Sequence, residues 1–359
     1  MRTIDWDEGA IVIVDQTALP GELRLLRLTS VDELIGAIQR LAVRGAPALG
    51  VAGAMGVALI AQHAEIGPRA GAPGSADGEA LAPRIAALRA ARPTATNLAW
   101  GVDRAAAFLS QGAERVLAEA LAVRDEDEAA SRRMGLRGAD LLRELVRGGE
   151  GEDGAPARPL RLLTHCNTGA LAAVTWGTAL GVARALLDQG DLGEVIATET
   201  RPLLQGARLT VWELREMGAP HRLIVDGAGP SVMARGLVDA IIVGADRICA
   251  NGDVANKVGT YSLALGAARA GLPFVVVAPE SSVDMDTPSG DQVAIEDRPD
   301  DEVTGFRGTH TAPDGTVAIN PAFDVTPHDL ITAIVTDRRV VRLDRGEDLA
   351  RAPLSFALA

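Results

Sequence analysis

The stretch Thr164-His165-Cys166-Asn167-Thr168-Gly169-Ala170-Leu171-Ala172 decides how this chain can fold. A short apolar run, 160–163, leads into it, and a helical pattern over roughly 169–187 follows it. A strand that turns directly into a helix at Cys166 places the thiol at a helix N-terminus, where unpaired backbone N–H groups favour a thiolate. We therefore predict a strand–turn–helix unit with a chemically active thiol, against the commoner role of a cysteine as a buried packing residue.

The composition is that of an ordinary globular protein and argues against several classes of function. The 359 residues suffice for two domains, each with its own core, and 47% of them are hydrophobic. Aromatic residues make up only 3%, which argues against a stacking platform for single-stranded nucleic acid. The net charge of −13 argues against a surface for nucleic acid or anionic membranes.

The cysteine content and the apolar segments indicate a cytoplasmic protein. Cys166 and Cys249 lie in different predicted elements and indicate no disulfide framework. The first seven residues lack the apolar core of a signal peptide. The most apolar stretch, 46–61, is shorter than the usual membrane span of about twenty residues, so we predict a buried helix.

The first part of the chain is predicted to be mostly helical with a small β element. Apolar runs at 10–14 and 23–28 flank Pro20-Gly21 and predict a hairpin. Ser30 with Glu33 forms a capping-box pattern at the start of a helix, and a second helix should begin near Pro47. Helical patterns then continue to about Arg147, with a break at 92–97.

Two glycine-rich stretches are predicted to be loops, at 67–78 and 148–156. The second marks a change of pattern, and we place the domain boundary there, with a helical domain over 1–150 and an α/β domain over 151–359.

The α/β domain is predicted to be Rossmann-like, with a parallel sheet covered by helices. Apolar strand patterns alternate with helical segments, and strands that are apolar on both faces are typical of buried parallel sheets. The predicted strands are 160–164, 194–198, 222–225, 240–243 and 274–278. The predicted helices are 171–187, 203–217, 231–237 and 258–270, with a final helix starting at Thr326-Pro327.

Polar residues follow four of these strands, at the edge where open parallel sheets bind ligands. The first strand ends at Cys166-Asn167-Thr168 and the third at Asp226-Gly227. The second ends at Glu199-Thr200-Arg201 with Gln205 shortly after, and the fourth at Asp246-Arg247 with Asn256-Lys257 shortly after. Four polar strand ends in series predict one site.

The sequence offers no pattern for a bound cofactor or metal. No G-x-G-x-x-G follows a strand, and no G-x-x-x-x-G-K-[ST] occurs. The five histidines are scattered and lack zinc-ligand spacing. His165 precedes Cys166 directly, and neighbouring strand residues point to opposite faces, so a Cys–His nucleophile pair is not favoured.

Two loop arginines complete the candidate site. Arg44 and Arg92 lie beside proline and small residues, where a guanidinium can contact a phosphate with two hydrogen bonds. Either one taken alone is more often a solvated surface charge. Together with a thiol, a carboxylate, an amide and a lysine, they suit the relocation of a proton or hydride on a phosphorylated sugar.

These motifs together resemble the methylthioribose-1-phosphate isomerase family, and the resemblance extends over nearly the whole chain. The matching motifs are Arg44-Gly45-Ala46-Pro47-Ala48, 165–172, 199–206, Gly244-Ala245-Asp246-Arg247, 255–260 and 320–327. The wider superfamily includes ribose-1,5-bisphosphate isomerase and the alpha, beta and delta subunits of the eukaryotic initiation-factor exchange complex. The two glycine-rich stretches look like additions to the family core.

The resemblance implies the roles of individual residues. Cys166 and Asp246 would form the catalytic pair. The substrate, a sugar phosphate, would be bound by Arg44, Gly45, Ala46, Arg92, Gln205, Asn256 and Lys257. The family fold joins a mostly helical domain to a Rossmann-like domain, its members usually form homodimers, and neither a cofactor nor a metal is implied.

Two other functions remain open at this point. The first is isomerisation of a different substrate, ribose 1,5-bisphosphate or 5-deoxyribose 1-phosphate, which the walls around C5 of the sugar would decide. The second is a regulatory subunit that uses the fold only for protein contacts. The presence of both Cys166 and Asp246 argues against this role, because interaction alone requires neither.

Overall fold

The computed structural model describes residues 2–64, 76–92, 96–148, 158–306 and 308–354. The chain divides into two compact units, unit one (Met1–Arg132 and Thr168–Gly177) and unit two (Arg133–Asn167 and Thr178–Ala359). The chain therefore passes from unit two to unit one directly after Asn167 and returns at Thr178. The predicted boundary at 150/151 lies outside the described residues, as do most of the predicted loops at 67–78 and 148–156.

Unit one begins with a three-stranded antiparallel sheet of β1 (Ile4–Asp7), β2 (Ala10–Val14) and β3 (Leu25–Leu28), in that order. The pairing of β2 with β3 confirms the predicted hairpin. Strand β1 was not predicted, because two aspartates interrupt its short apolar pattern. It pairs with β2 through Ile4 opposite Ile13 and Trp6 opposite Ile11.

The helices confirm a mostly helical first part. They are α1 (Val31–Gln39), α2 (Ala46–His63), α3 (Ala76–Arg89), α4 (Thr96–Ala106) and α5 (Ala113–Arg147). The capping box of α1 is present: the Glu33 amide donates to Ser30 Oγ at 3.3 Å, and the Ser30 amide donates to the Glu33 carboxylate at 3.0 Å. Pro47 lies in the first turn of α2, as predicted.

Helix α2 is the core of unit one. It is long and apolar enough to cross a membrane by length and composition alone, but 83% of it is buried inside the protein, which confirms the predicted buried helix. Its small residues allow α4 to approach very closely. A Cβ on Gly101 would lie 1.9 Å from the Gly50 carbonyl oxygen, and one on Gly53 would lie 2.7 Å from the Leu98 carbonyl oxygen.

Unit two contains thirteen strands among the described residues. They are β4 (Leu160–Thr164), β5 (Leu192–Thr198), β6 (His221–Ile224), β7 (Ala240–Val243), β8 (Arg247–Cys249), β9 (Val254–Lys257), β10 (Phe274–Val277), β11 (Val283–Asp284), β12 (Gly305–Phe306), β13 (Thr309–His310), β14 (Phe323–Thr326), β15 (Ala333–Val335) and β16 (Val340–Val341). The helices that separate them are α6 (Ala179–Asp188), α7 (Val211–Glu216), α8 (Gly229–Ala234), α9 (Thr260–Ala270) and α10 (Asp301–Thr304).

The main sheet has seven strands in the order β16-β15-β10-β7-β4-β5-β6. All neighbours are parallel except the β15–β16 pair. Strands β7 and β10 are buried along their whole length, as the continuous apolar runs predicted. A second sheet has the strand order β11-β8-β9-β14. All four of its short strands follow β7 in the sequence, and none of them was predicted.

The predicted helix over 171–187 is wrong in its first half. Helix α6 begins only at Ala179, and 170–172 form a single 3-10 turn. The backbone carbonyls that a helix would use are taken within unit one. Gln16 Nε2 donates to the Leu171 carbonyl at 2.6 Å, and Thr3 Oγ1 donates to the Ala173 carbonyl at 2.7 Å. Cys166 is therefore not at a helix N-terminus.

The predicted final helix from Thr326 is also wrong. Only a 3-10 turn, His328–Leu330, forms before β15 begins. The residues after the turn pair with β10 instead, starting with the Thr332 amide, which donates to the Phe274 carbonyl at 2.9 Å. Ile334 and Val335 are fully buried there, so sheet pairing outweighs the local helical pattern.

The close approach of α2 and α4 makes a testable prediction. We expect Gly101→Ala to destabilise the protein by about 3 kcal/mol or more, because a methyl group would meet a backbone carbonyl that cannot rotate away. Gly36→Ala in α1, where the nearest atom to a Cβ is the mobile end of Arg40 at 3.5 Å, is the matched control. It should be stabilising by about 0.5–1 kcal/mol. Urea denaturation measures both, and equal effects would contradict the packing argument.

Candidate functional site

The sequence predicted four polar strand ends at one site, and hydrogen bonds join three of them. Cys166 follows β4, Thr200 follows β5 and Asp226 follows β6. The Cys166 amide donates to Thr200 Oγ1 at 2.9 Å, and the Thr200 amide donates to Asp226 Oδ1 at 2.7 Å. The Arg201 amide donates to the other Asp226 oxygen at 2.7 Å. The Asp226 carboxylate therefore fixes the backbone of the loop after β5.

Hydroxyl groups hold the Cys166 backbone on both sides. Its φ of +61° lies in the left-handed region, which is uncommon for a residue with a side chain. The amide is held by Thr200, and the carbonyl accepts a hydrogen bond of 2.5 Å from Thr210 Oγ1. The side chain is buried. The orientation of the thiol is thus set by its backbone, and not by the helix N-terminus that the sequence predicted.

Asn167 lies beside Cys166 with a fixed side-chain amide. Its Nδ2 donates to Glu213 Oε1 at 2.7 Å and to Thr210 Oγ1 at 3.3 Å. Its Oδ1 is buried and has no hydrogen-bond partner within the described part of the chain. A buried acceptor without a partner is unfavourable unless a ligand or a water supplies a donor.

Gln205 presents a second such acceptor. The residue is buried, and its Oε1 has no partner among the described residues. Its neighbour Gly206 passes under the end of β5, so closely that a Cβ would lie 1.7 Å from the Thr198 carbonyl oxygen. Only glycine fits at position 206, and this close contact fixes the backbone position of the adjacent Gln205.

Asn256 and Lys257 lie on β9 and are both buried. Lys257 Nζ donates to the Ala322 carbonyl at 2.5 Å and lies 4.7 Å from the centre of the Phe323 ring. Asn256 Nδ2 donates to Thr260 Oγ1 at 3.0 Å. Asp246, which precedes β8, donates its amide to the Ala255 carbonyl at 3.0 Å. Asp246 is thus hydrogen-bonded to the strand that carries Asn256 and Lys257.

Asp324 fixes the turn that follows Lys257. Its carboxylate accepts from the Gly259 amide at 2.6 Å and from the Tyr261 amide at 3.2 Å, at the start of α9. Burial raises the pKa of Asp324 to about 6, although these amides and the charge of Lys257 act in the opposite direction. Sequence reasoning did not select this residue, although it lies in the quoted motif 320–327.

Both ring nitrogens of His165 have hydrogen-bond partners, which argues against a role as base for Cys166. Nε2 lies 2.8 Å from the Val258 carbonyl, and Nδ1 lies 2.6 Å from Thr198 Oγ1. Because a carbonyl can only accept, Nε2 carries the hydrogen and the Thr198 hydroxyl donates to Nδ1. Burial lowers the pKa of His165, so the neutral ring is favoured.

The remaining candidates lie in unit one. Arg44 is buried, and its Nε and Nη2 have no hydrogen-bond partner among the described residues. It precedes the N-terminus of α2, whose first residue is Ala46. Gly45 has φ +94°, and a Cβ on it would lie 2.5 Å from Ala172, so no other residue fits there. Arg92 follows α3 and is half-buried.

Within the described ranges, no three His, Cys, Asp or Glu side chains are grouped so that they could hold a metal ion. The arrangement instead offers buried hydrogen-bond donors and acceptors. In unit one a guanidinium lies at a helix N-terminus. In unit two the Cys166 thiol and the Gln205 amide follow strands of the main sheet, and Asn256 and Lys257 lie on β9 of the second sheet, with Asp246 just before β8.

Comparison with known sequences gives strong matches over almost the whole chain. The profile of the initiation factor 2 subunit family matches residues 42–342. A methylthioribose-1-phosphate isomerase of Anaeromyxobacter sp. is 50% identical over 352 residues, with 98% of this chain and 96% of that protein covered. A 5-deoxyribose 1-phosphate isomerase of Moorella thermoacetica is 46% identical, with coverage of 97% and 96%.

A third relative is longer than this chain. It is a probable bifunctional methylthioribose-1-phosphate isomerase/methylthioribulose-1-phosphate dehydratase of Nocardia farcinica, 54% identical over 346 residues. The match covers 95% of this chain but only 60% of that protein, so the chain spans about three fifths of this relative's length.

Two solved structures share the fold. The structure of 5-methylthioribose 1-phosphate isomerase from Pyrococcus horikoshii has a TM-score of 0.83 at 40% identity, covering 95% of this chain and 92% of that one. A structure from A. fulgidus, titled as translation initiation factor eIF-2B subunit delta, has a TM-score of 0.78 at 41% identity, covering 95% and 96%.

The raised pKa of Asp324 predicts a pH dependence of stability. Between its ordinary value of 3.8 and about 6, the folded state keeps a proton that the unfolded state releases. The stability that this group contributes is therefore present at low pH and lost as the pH rises through about 6. The free energy of unfolding of wild type minus that of Asp324→Asn should fall by up to about 3 kcal/mol between about pH 4 and pH 7.

Asp253→Asn is the control of opposite sign, measured by the same urea denaturation series. Burial raises the pKa of Asp253, but hydrogen bonds from the Gly290 amide and from Asn251 outweigh it and lower the pKa to about 2. The stability that Asp253 contributes is present at neutral pH and lost on acidification. The free energy of unfolding of wild type minus that of Asp253→Asn should therefore rise with pH. A flat profile for Asp324→Asn would contradict the assigned pKa.

Proposed function

The chain belongs to the initiation factor 2 subunit family, and we propose that it is the isomerase that converts 5-methylthioribose 1-phosphate to 5-methylthioribulose 1-phosphate in methionine salvage. The observation that carries this proposal is the 50% identity to a methylthioribose-1-phosphate isomerase across 98% of the chain. The burial of several of the assigned polar side chains supports it: Arg44, Cys166, Gln205, Asn256 and Lys257 are buried, and Asp246 and Arg92 are half-buried.

In unit one, the phosphate is bound by Arg44 at the N-terminus of α2. Buried guanidinium nitrogens without a partner among the described residues suit the fixed, paired oxygens of a phosphate. The amides of the first helical turn add donors and a favourable dipole. Gly45 and Ala46 allow close approach to this turn, and Arg92 supplies a second positive charge.

In unit two, the sugar is bound by Gln205, Asn256 and Lys257. The buried Oε1 of Gln205 accepts from a sugar hydroxyl, which gives it a partner that the described part of the chain does not provide. Lys257, already held by the Ala322 carbonyl, has further hydrogens to donate to sugar or phosphate oxygens. An acidic protein with a basic site concentrates the anionic substrate locally.

The chemistry requires two events. The 1-phosphate prevents ordinary ring opening to a free aldehyde, so the bond between C1 and the ring oxygen must break with protonation of that oxygen. Asp246, protonated, donates this proton. A hydrogen must then move from C2 to C1, which leaves a carbonyl at C2 and gives a ketose 1-phosphate.

Two routes for the C2 hydrogen are consistent with a thiol at this position. In the first, the Cys166 thiolate takes the proton from C2, and an enol-type intermediate receives a proton at C1. In the second, hydride passes directly from C2 to C1, and Cys166 assists transfer of the hydroxyl proton. Turnover in deuterated water distinguishes them, because only the first introduces deuterium at C1.

The relatives also bear on the alternatives. The 46% identity to a 5-deoxyribose 1-phosphate isomerase supports that compound as an additional substrate. The relatives named as methylthioribose-1-phosphate isomerases favour neither ribose-1,5-bisphosphate isomerase nor a regulatory subunit. The dehydratase activity in the name of the Nocardia farcinica relative is not assigned to this chain.

The proposal extends to a Rossmann-like fold for unit two and to a homodimeric assembly. The six parallel strands of the main sheet, taken in chain order, lie in the order 3-2-1-4-5-6, which supports a Rossmann-like domain. We expect a cytoplasmic homodimer that binds neither nucleic acid nor membrane. Two buried cysteines without a disulfide suit a reducing compartment, and sedimentation equilibrium measures the assembly.

The substrate panel is the first test. Purified protein should convert 5-methylthioribose 1-phosphate, with 5-deoxyribose 1-phosphate as a second substrate and little turnover of ribose 1,5-bisphosphate. Cys166→Ser should lose at least about 100-fold in kcat, since the hydroxyl is a far weaker acid and base at neutral pH. The control is Cys249→Ser, whose thiol is fully buried at the end of β8. Preference for the bisphosphate would change the assigned substrate, and no turnover at all would favour a regulatory subunit.

Asp246→Asn tests the proton donor separately. The amide has nearly the same shape but cannot release a proton to the ring oxygen, so we expect a loss of about 100- to 10,000-fold in kcat. The dissociation constant of the substrate, measured by calorimetry, should change by less than about fivefold, because shape and hydrogen-bonding reach are kept. Near-normal turnover would exclude Asp246 as the general acid.

A further inference from the structure

His165 lies at the centre of a hydrogen-bonded chain that runs from the Cys166 backbone to the turn beside Lys257. We propose that His165 is a positioning residue, which couples the backbone of the catalytic cysteine to the substrate-binding turn at Val258-Gly259. This inference rests on the proposed isomerase function. It assigns a role to a buried side chain that takes no part in the proposed transfers of protons or hydride.

The first half of the chain runs from Cys166 to the imidazole ring. The Cys166 amide donates to Thr200 Oγ1 at 2.9 Å, and Thr200 Oγ1 lies 3.3 Å from Thr198 Oγ1. The Thr198 hydroxyl is committed to His165 Nδ1 at 2.6 Å. Thr198 Oγ1 can therefore only accept in its contact with Thr200, whose hydroxyl also lies within 3.4 Å of the Thr198 carbonyl.

The second half runs from the ring to the substrate-binding turn. His165 Nε2 donates to the Val258 carbonyl at 2.8 Å. The next residue, Gly259, lies against the ring, so that a Cβ would be 3.0 Å from His165 Cε1. Its amide is held by Asp324 at 2.6 Å. The turn is thus fixed on one side by a carboxylate and on the other by the imidazole.

The ring suits this role because its two nitrogens differ. The neutral tautomer offers one donor and one acceptor on opposite sides of a rigid plane, and both are used. Cys166, Thr200, Thr198 and His165 are buried, so water does not compete for the bonds between them, whereas Val258 and Gly259 in the turn are half-buried. A shift of the turn is therefore transmitted to Thr198 and from there to the Cys166 amide.

Substitutions separate the two halves of the chain. The nitrogen of a glutamine side chain lies near the position of Nε2, so His165→Gln keeps the donor to Val258 and loses the acceptor for Thr198. The oxygen of an asparagine lies near the position of Nδ1, so His165→Asn keeps the acceptor for Thr198 and loses the donor to Val258. Thr198→Val removes the Thr198 hydroxyl with almost no change of shape.

For 5-methylthioribose 1-phosphate, variants that break the link to Cys166 should change kcat, and the variant that breaks the link to the turn should change KM. His165→Gln and Thr198→Val should each lower kcat by about three- to tenfold with KM nearly unchanged, as expected for one lost hydrogen bond. Their double variant should be no worse than either alone, because both break the same link. His165→Asn should instead raise KM by about three- to tenfold.

Hydrogen exchange measured by mass spectrometry provides a readout without turnover. Thr198→Val should speed exchange in peptides that contain Cys166 and leave those that contain 258–261 unchanged, and His165→Asn should do the reverse. If the His165 variants fail to fold by circular dichroism, Thr198→Val alone decides. Folded variants with unchanged exchange and with both kinetic constants within about twofold of wild type would overturn the proposal. Absence of turnover by the wild type would instead refute the proposed function, and exchange would still test the coupling.

Discussion

The geometry of the site depends on how the chain is held at the end of β4. This strand lies between β5 and β7, so its carboxyl end is surrounded by loops from both sides of the sheet. Two threonine hydroxyls, from Thr200 and Thr210, bind the amide and the carbonyl of Cys166. They hold a left-handed backbone that would otherwise be unfavourable by about 1 kcal/mol. Strain of this kind persists only where the surrounding structure fixes it.

The sequence predicted the elements whose signal is local. Strands β4 and β7 have the bounds expected from their continuous apolar runs, and the capping box of α1 needs only four consecutive residues. The first half of the helix predicted over 169–187 did not form, because carbonyls in this part bond to Gln16 and Thr3, more than 150 residues away in the chain. The candidate site follows the same rule. Its residues stand out at strand ends, whereas Thr198 lies inside a strand and resembles a packing residue until its partners are known.

Several candidate residues have buried polar atoms with no partner in the described part of the protein. They are Arg44, Asn167 and Gln205. A buried polar group without a hydrogen bond is unfavourable by about 1–3 kcal/mol, so a fold optimised only for stability would replace or pair them. Keeping them fits the general trade-off in which binding groups are retained at the expense of stability. A ligand with hydroxyl and phosphate oxygens would supply partners that the described residues do not provide.

The passage of 168–177 through unit one also orders events during synthesis. Unit one consists of the first 132 residues and this one short segment, which supplies the Leu171 and Ala173 carbonyls to Gln16 and Thr3 and the surface against which Gly45 packs. A ribosome delivers residues in sequence, and domains generally fold as units while they emerge. The first 132 residues cannot complete their packing until Gly177 has left the exit tunnel, when β4 and Cys166 are already outside. Unit one therefore remains incomplete until the segment that directly follows β4 and Cys166 has been synthesised.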